Sequence, residues 1–325
     1  MKSLRLLVVA LILCATEGAY ADYSSNALTQ DFIRDMAREE GFDANELREL
    51  FAQVEKKDSI INAMNRPAEK VLTWGQYRKI FLRKARIESG GDFWRRNQQV
   101  LAEAESEYGV PAHVIVAIIG VETLYGGNTG SYRVIDALST LAFDYPARAP
   151  FFRSELKEFL ILSREQKQSP LILKGSYAGA MGLGQFMPSS YRAYAADYDN
   201  DGFIDIWSNE ADAIWSVANY LSRHGWKAGQ TIAHPALIAD SPDEQVINQG
   251  LKPEHSLQQL QQAGLHPEIQ LSPELMATAM KLVGDDGDEY WIGMHNFYVI
   301  TRYNHSRLYA MAVFQLAEEI LKHKP

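Results

Sequence analysis

The sequence predicts an α+β protein, mainly α-helical, with one small β-containing module, and three observations carry that prediction. Apolar residues recur at helical spacing in window after window of the 325-residue chain. Prolines at 111, 150 and 188 stand where helices begin, and the missing N–H costs nothing in a first turn. Between about 228 and 300 the texture changes to short apolar runs broken by Gly, Pro and Asp.

The first segment reads as an address. Lys2 and Arg5 precede the apolar stretch Leu6 to Leu13, too short to cross a bilayer as a mature helix, and Ala19-Tyr20-Ala21 supplies small residues that signal peptidase accepts. Cleavage before Asp22 removes Cys14, the one cysteine, so no thiol nucleophile remains. Leu13 occupies the place where lipoprotein processing needs a small residue, which favours a soluble exported protein over a lipid anchor at Cys14. No later segment is apolar enough to span a membrane.

Two helices are predicted between Asn26 and about Lys57, from Phe32, Ile33, Met36, Leu47, Leu50, Phe51 and Val54. They break at Gly41-Phe42, and Asp43 with Glu46 fits a capping box. Further helices are predicted over 74–88, 92–108, 111–124, 150–162, 188–196, 209–224, 273–283 and 305–322. The β-leaning runs are Tyr290-Trp291-Ile292 and Phe297-Tyr298-Val299-Ile300. The implied organisation is a signal peptide over 1–21, a helical N-terminal domain over 22–110, a core over 111–227, the small β-containing module over 228–300, and a C-terminal segment over 301–325 whose helix returns to the core.

Composition narrows the chemistry. Lys and Arg number 32 against 41 Asp and Glu, a net charge of −9 without any basic run, so nucleic acid is not expected as a partner. None of the eight histidines forms an H-E-x-x-H pair, and zinc chemistry is disfavoured.

From Val114 through Val121 every residue is apolar or glycine, the mark of a helix buried on all sides. Glu122 is its first charge. A carboxyl against such surroundings loses hydration of its ionised form, so its pKa is expected to rise into the range of a general acid. The plainer reading is a helix-end glutamate paired with a nearby Arg. Downstream, glycines at 175, 179, 182 and 184 let backbone approach a ligand closely, with Ser176 and Gln185 set among them. The spacing fits neither phosphate-binding glycine motif, which leaves a ligand-approach loop or a plain loop. Sixteen tyrosines could supply stacking faces for sugars, though any single one is more often core or surface filler.

Asp197-Tyr-Asp199-Asn-Asp201-Gly202-Phe203-Ile204-Asp205 fits the opening of a single EF-hand-type loop, with carboxylates at alternating positions, Gly202 for the turn and the Phe203 carbonyl in place. Ser208 stands where the usual bidentate glutamate would be, so Asp212 or Glu210 must supply the last ligand. A lone loop of this kind suggests structural Ca2+ rather than a sensor.

Taken together, Gly120-Val-Glu122-Thr, Gly175 to Ser190, the acidic loop with Ala213 to Tyr220, and Val299-Ile-Thr-Arg-Tyr303-Asn304 resemble the lytic murein transglycosylase B family over nearly all of the mature chain. These are exported bacterial enzymes that cleave peptidoglycan glycan strands. The resemblance implies a lysozyme-like core carrying the EF-hand-type loop, flanked by a helical domain and a small β domain. It implies Glu122 as catalytic acid and base, with Ser176 and Gln185 near the cleaved bond. Tyr77, Tyr220, Tyr303 and Tyr309 match groove aromatics, and Arg148 and Asn304 match substrate contacts. Asp197, Asp199, Asp201, the Phe203 carbonyl and Asp212 match the calcium ligands within 197–212. Asp199 replaces a smaller polar ligand of the family, and one residue is added between Trp207 and Asp212.

The implied reaction cuts the β-1,4 bond between N-acetylmuramic acid and N-acetylglucosamine and leaves 1,6-anhydromuramoyl ends. No cofactor is expected for the chemistry. The alternatives are a hydrolytic muramidase and a non-catalytic peptidoglycan-binding protein. The expected setting is the periplasm, the expected partners are glycan strands and cell-wall synthesis or remodelling proteins, and the expected state is a monomer.

Overall fold

The computed structural model describes residues 23–65 and 72–324. The signal segment predicted over 1–21, its cleavage point before Asp22 and Cys14 lie outside the described residues. The chain divides into two compact units, one up to Lys56 and the other from Lys57 onward.

In the first unit, α1 (Ala27–Glu40) begins at Asn26, whose side chain accepts from the Leu28 and Thr29 N–H groups, and ends at Gly41 in the left-handed region. Asp43 caps α2 (Ala44–Phe51) by accepting from Asn45 and Glu46. The two helices meet through Phe32 and Phe51, whose rings stand edge to face at 6.0 Å.

The second unit opens with α3 (Asp58–Met64), α4 (Trp74–Phe81), α5 (Lys84–Arg96) and α6 (Gln98–Tyr108). The helices predicted over 74–88 and 92–108 are therefore cut elsewhere, at Leu82–Arg83 and at Asn97. Gly90 and Gly91 do not break α5. A Cβ on Gly90 would meet the Tyr125 hydroxyl at 2.6 Å, so the glycine serves close packing inside a helix.

Next come α7 (Ala112–Thr123), β1 (Tyr132–Arg133), α8 (Val134–Asp144), α9 (Ala149–Glu165), β2 (Lys174–Gly175), α10 (Pro188–Tyr194) and α11 (Glu210–Arg223). Helix α8 was not predicted. Val134 to Phe143 are all buried, although Asp136, Ser139 and Thr140 recur at helical spacing and could have marked one face. Helices α5, α6, α11 and, from the chain's end, α14 (Arg307–Leu321) pack around α7, which is why its residues 114–121 are uniformly buried.

The small module holds β3 (Ala233–Ile238), β4 (His255–Ser256), α12 (Leu257–Gln262), β5 (Leu265–Pro267), β6 (Met276–Val283) and β7 (Asp288–Gly293), followed by α13 (His295–Tyr303). Its strands form one antiparallel sheet in the order β4-β6-β7-β3-β5. Two predictions fail here. Of residues 273–283, predicted helical, Met276–Val283 form β6, because pairing from Thr278↔Gly293 to Val283↔Asp288 places Ala277 and Ala279 in a shared core with Leu257, Leu260 and Ile292. The β-leaning run Phe297 to Ile300 lies in α13, where Phe297, Val299 and Ile300 are buried and Asn296 binds the backbone of Lys227 and Gln230. In both places tertiary packing overrides local preference. The predicted class, a mainly helical α+β fold with a small sheet, is the observed one.

Candidate active site

Helix α7 starts behind Pro111 and delivers Glu122 in its last turn, half-buried, where the apolar helix reaches the surface. Leu124 and Tyr125 both adopt positive φ, 53° and 58°, and turn the chain sharply away. Thr123 ties this end to the glycine-rich stretch, its hydroxyl donating to the Leu183 carbonyl at 2.8 Å. From α14, the Tyr309 hydroxyl donates to Glu122 Oε1 at 2.6 Å.

In front of Glu122 lies a cleft of about 460 Å³ walled by residues 126–132 on one side and by Ser176, Tyr177 and Gln185 on the other. The short β1–β2 pairing, Tyr132 opposite Gly175, holds these walls together. Gly130 must be glycine: its φ is 92°, and a Cβ would fall 2.1 Å from the Gly175 carbonyl oxygen. Gln185 clasps the walls, its side-chain amide donating to the carbonyls of Thr129 at 3.2 Å and Gly182 at 2.9 Å. Ser176 Oγ accepts from the N–H groups of Ala178 and Ala180 and so shapes its own loop. Tyr177 is 40% exposed on this wall. Sequence reasoning passed over it, although it is the neighbour of Ser176 in the same motif. Glu122 is the one carboxylate among the described residues lining the cleft.

Three of the four predicted tyrosines stack behind the acid, and none of the four is among the cleft-lining residues. Tyr303 lies parallel to Tyr309 at 6.5 Å and crosses Tyr220 at 4.7 Å. Their hydroxyls are spent on backbone carbonyls, Tyr303 on Gly184 and Tyr220 on Arg302, each at 2.5 Å. Burial first, then the Glu122 carboxyl, pushes the Tyr303 and Tyr309 hydroxyls well above their ordinary range. Tyr309 is thus a fixed donor to Glu122. Burial likewise pushes the Tyr220 hydroxyl up to about 12. Tyr77 is buried on α4 against Phe81, at 5.1 Å. Arg148 is exposed and lies over the Phe151 ring at 4.6 Å, away from the cleft-lining residues. Asn304 ends α13.

The acidic loop gathers Asp197, Asp199 and Asp212, whose carboxylate oxygens lie within 4.8 Å of one another. Asp212, in the first turn of α11, is fully buried and accepts from the N–H groups of Tyr198 and Asp205. Asp197 Oδ1 is buried without a hydrogen-bond partner. Three crowded carboxylates with one orphaned oxygen fit a hard, oxygen-preferring cation such as Ca2+. Glu210 is removed as a candidate ligand, because it forms a forked pair with Arg96 and also binds Asn97. The carboxylate of Asp201 stands outside the cluster and accepts from the Phe203 N–H.

An acid at the end of a buried helix thus faces a glycine-walled cleft. The chain belongs to the transglycosylase SLT domain family, which matches residues 24–318. It is similar to the membrane-bound lytic murein transglycosylase B of Escherichia coli (strain K12), 42% identical over 308 residues that cover 92% of this chain and 84% of that protein. The solved soluble lytic transglycosylase SltB1 from Pseudomonas aeruginosa is 55% identical with a TM-score of 0.87, over 90% of this chain and 98% of that one. The Escherichia coli lytic transglycosylase Slt35, solved in complex with calcium, is 43% identical with a TM-score of 0.85, over 93% and 95%. SltB3 from Pseudomonas aeruginosa, solved in complex with NAG-anhNAM-pentapeptide, is 31% identical with a TM-score of 0.80, over 90% and 78%.

Proposed function

We propose that this chain cleaves the bond between N-acetylmuramic acid and N-acetylglucosamine in peptidoglycan as a lytic transglycosylase, with Glu122 as its single acid and base. The observation that carries this reading is the cleft itself, which among the described residues holds one carboxylate, Glu122, against a fixed hydroxyl donor. Hydrolytic glycosidases work with two carboxylates. With one, the second nucleophile comes from the substrate.

In its protonated form Glu122 gives its proton to the glycosidic oxygen as the bond from that oxygen to muramoyl C1 breaks. The substrate's acetamido group assists the oxocarbenium-like state. The Tyr309 hydroxyl stabilises the carboxylate left behind. Glu122 then takes the proton of the muramoyl 6-hydroxyl while that oxygen bonds to C1, which closes the 1,6-anhydro ring, consumes no water and restores the acid. Ser176 and Gln185, on the facing wall, line the site near the cleaved bond. Tyr303 and Tyr220 support it from behind, and Tyr77, Arg148 and Asn304 contact more distant parts of the strand.

We infer that Asp197, Asp199 and Asp212 hold a structural Ca2+ at the head of α11, with Asp201 and the Phe203 carbonyl completing an EF-hand-type loop. The solved relative with calcium and the orphaned Asp197 oxygen support it. On the same reading, 111–227 with the return of α14 is the catalytic core and the enzyme acts in the periplasm. No helix among the described residues is long and apolar enough to cross a membrane.

The test is mass spectrometry of fragments released from purified peptidoglycan, with Glu122→Gln in parallel. Anhydromuramoyl products, absent with the variant, are expected. Reducing-end products would replace this reading with a hydrolytic muramidase.

A further inference from the structure

Helices α7 and α14 run antiparallel, and the Glu122–Tyr309 bond marks only one end of the pair. At the other end is a separate cavity of about 630 Å³ that shares no lining residue with the catalytic cleft. Pro111 and His113 from the start of α7, Gln315 and Glu318 from the end of α14, and the connector Gly229 to Thr231 enclose it. His113 precedes Glu122 by nine residues, about 14 Å along the helix axis.

The walls have a definite chemistry. Trp226, Trp291 and Phe314 give the cavity an aromatic lining, and Gln230, Thr231, Gln315, Glu318 and Glu319 add hydroxyl-pairing groups. Among the described residues no Lys or Arg lines it. Burial holds the pKa of both lining histidines, His113 and His234, below the ordinary value, and of the two glutamates Glu319 is paired with Lys322 at 2.6 Å. Two wall groups, Trp226 Nε1 and His234 Nε2, are buried without hydrogen-bond partners, and Trp226 as a whole is only 9% exposed. A volume of this size, aromatic surfaces and convergent amide and carboxyl groups are what a pyranose ring binds.

We propose that this cavity is a second saccharide site, which takes an N-acetylhexosamine unit of a glycan strand at the end of α7 and α14 opposite the catalytic cleft. Aromatic faces cover the ring, and the glutamines, Thr231 and Glu318 take its hydroxyls. The proposal rests on peptidoglycan being the polymer bound, and not on which residue cleaves it. Its effect is to hold the enzyme on the wall while the cleft engages another unit.

The experiment titrates chitotetraose, a soluble β-1,4-linked N-acetylglucosamine tetramer, into the chain from Asp22 onward carrying Glu122→Gln, and follows indole and side-chain amide NMR signals. Saturable shifts of the Trp226 and Trp291 indole signals are expected. Adding Thr231→Trp, which fills the cavity from an exposed connector position, should weaken that response by about tenfold or more while the Gln185 amide response stays. A second variant, Gln315→Ala, should weaken it by a smaller factor. Indole signals that stay fixed, or an affinity unchanged by Thr231→Trp, overturn the proposal. Shifts produced by a simple alkylammonium salt and not by the tetramer would instead assign the cavity to organic cations. A silent Gln185 with responding indoles would count against the catalytic cleft alone.

Discussion

Tyr309 and Glu122, 187 residues apart, are joined by a hydrogen bond of 2.6 Å from the phenol to the carboxyl. The bond is lopsided in a useful way. Burial and the facing carboxyl keep the phenol protonated, so it is a donor that favours the ionised glutamate over the neutral one.

Tyr309→Phe should therefore keep the fold and slow turnover by roughly 10- to 100-fold, the range for losing a hydrogen bond to a charged group. The pH at which activity falls on the alkaline side should move upward, since the acid then holds its proton more tightly. Steady-state rates across pH decide this, and an unchanged profile would remove Tyr309 from the reaction.

Calcium should stabilise the folded chain. At a free concentration about 100 times its Kd, a ligand that binds only the native state contributes about 2.7 kcal/mol, or roughly 5 to 10 °C in Tm for a unit of this size. Chelation should reverse the gain in a melting curve. Asp197→Ala, which deletes the orphaned oxygen, should abolish it; a calcium-independent Tm in the unaltered chain would dismiss the site.

Stability should fall as the medium becomes acidic. Burial depresses the folded pKa of His113, His224 and His234, so below about pH 6.5 the unfolded chain takes up protons that the folded chain refuses. Stability is full above the unfolded value and is lost as pH drops from there toward each depressed folded value. His224, stacked on Tyr220 at 4.0 Å, couples this to the tyrosines behind the acid. Melts of His224→Gln from pH 7.5 to 5.5 should show a shallower decline than the unaltered protein.

Gly130→Ala should damage both stability and activity. Its Cβ would collide with the Gly175 carbonyl in a backbone conformation that costs an alanine strain, a penalty of about 1–3 kcal/mol. Denaturant melts and rates on the same sample test whether the cleft walls move together, and a fully active, equally stable variant would refute that.

What the sequence by itself determined is everything carried by short-range pattern. The apolar run 114–121 announces a buried helix, Pro111 its start and Glu122 its charged end. The alternating aspartates announce a tight acidic loop, and the glycine spacing a close backbone approach. Those signals are local because helix burial, turn geometry and carboxylate spacing are set within a dozen residues. The tertiary structure decided the rest. Residues 276–283 became a strand and 295–303 a helix because partners far along the chain bury them. It set Tyr309 against Glu122, gave Glu210 to Arg96 and left Asp212 with the other carboxylates, and put Tyr177 on the cleft wall. None of those pairings has a period or spacing to read; each exists only because packing brings together side chains that are distant along the chain.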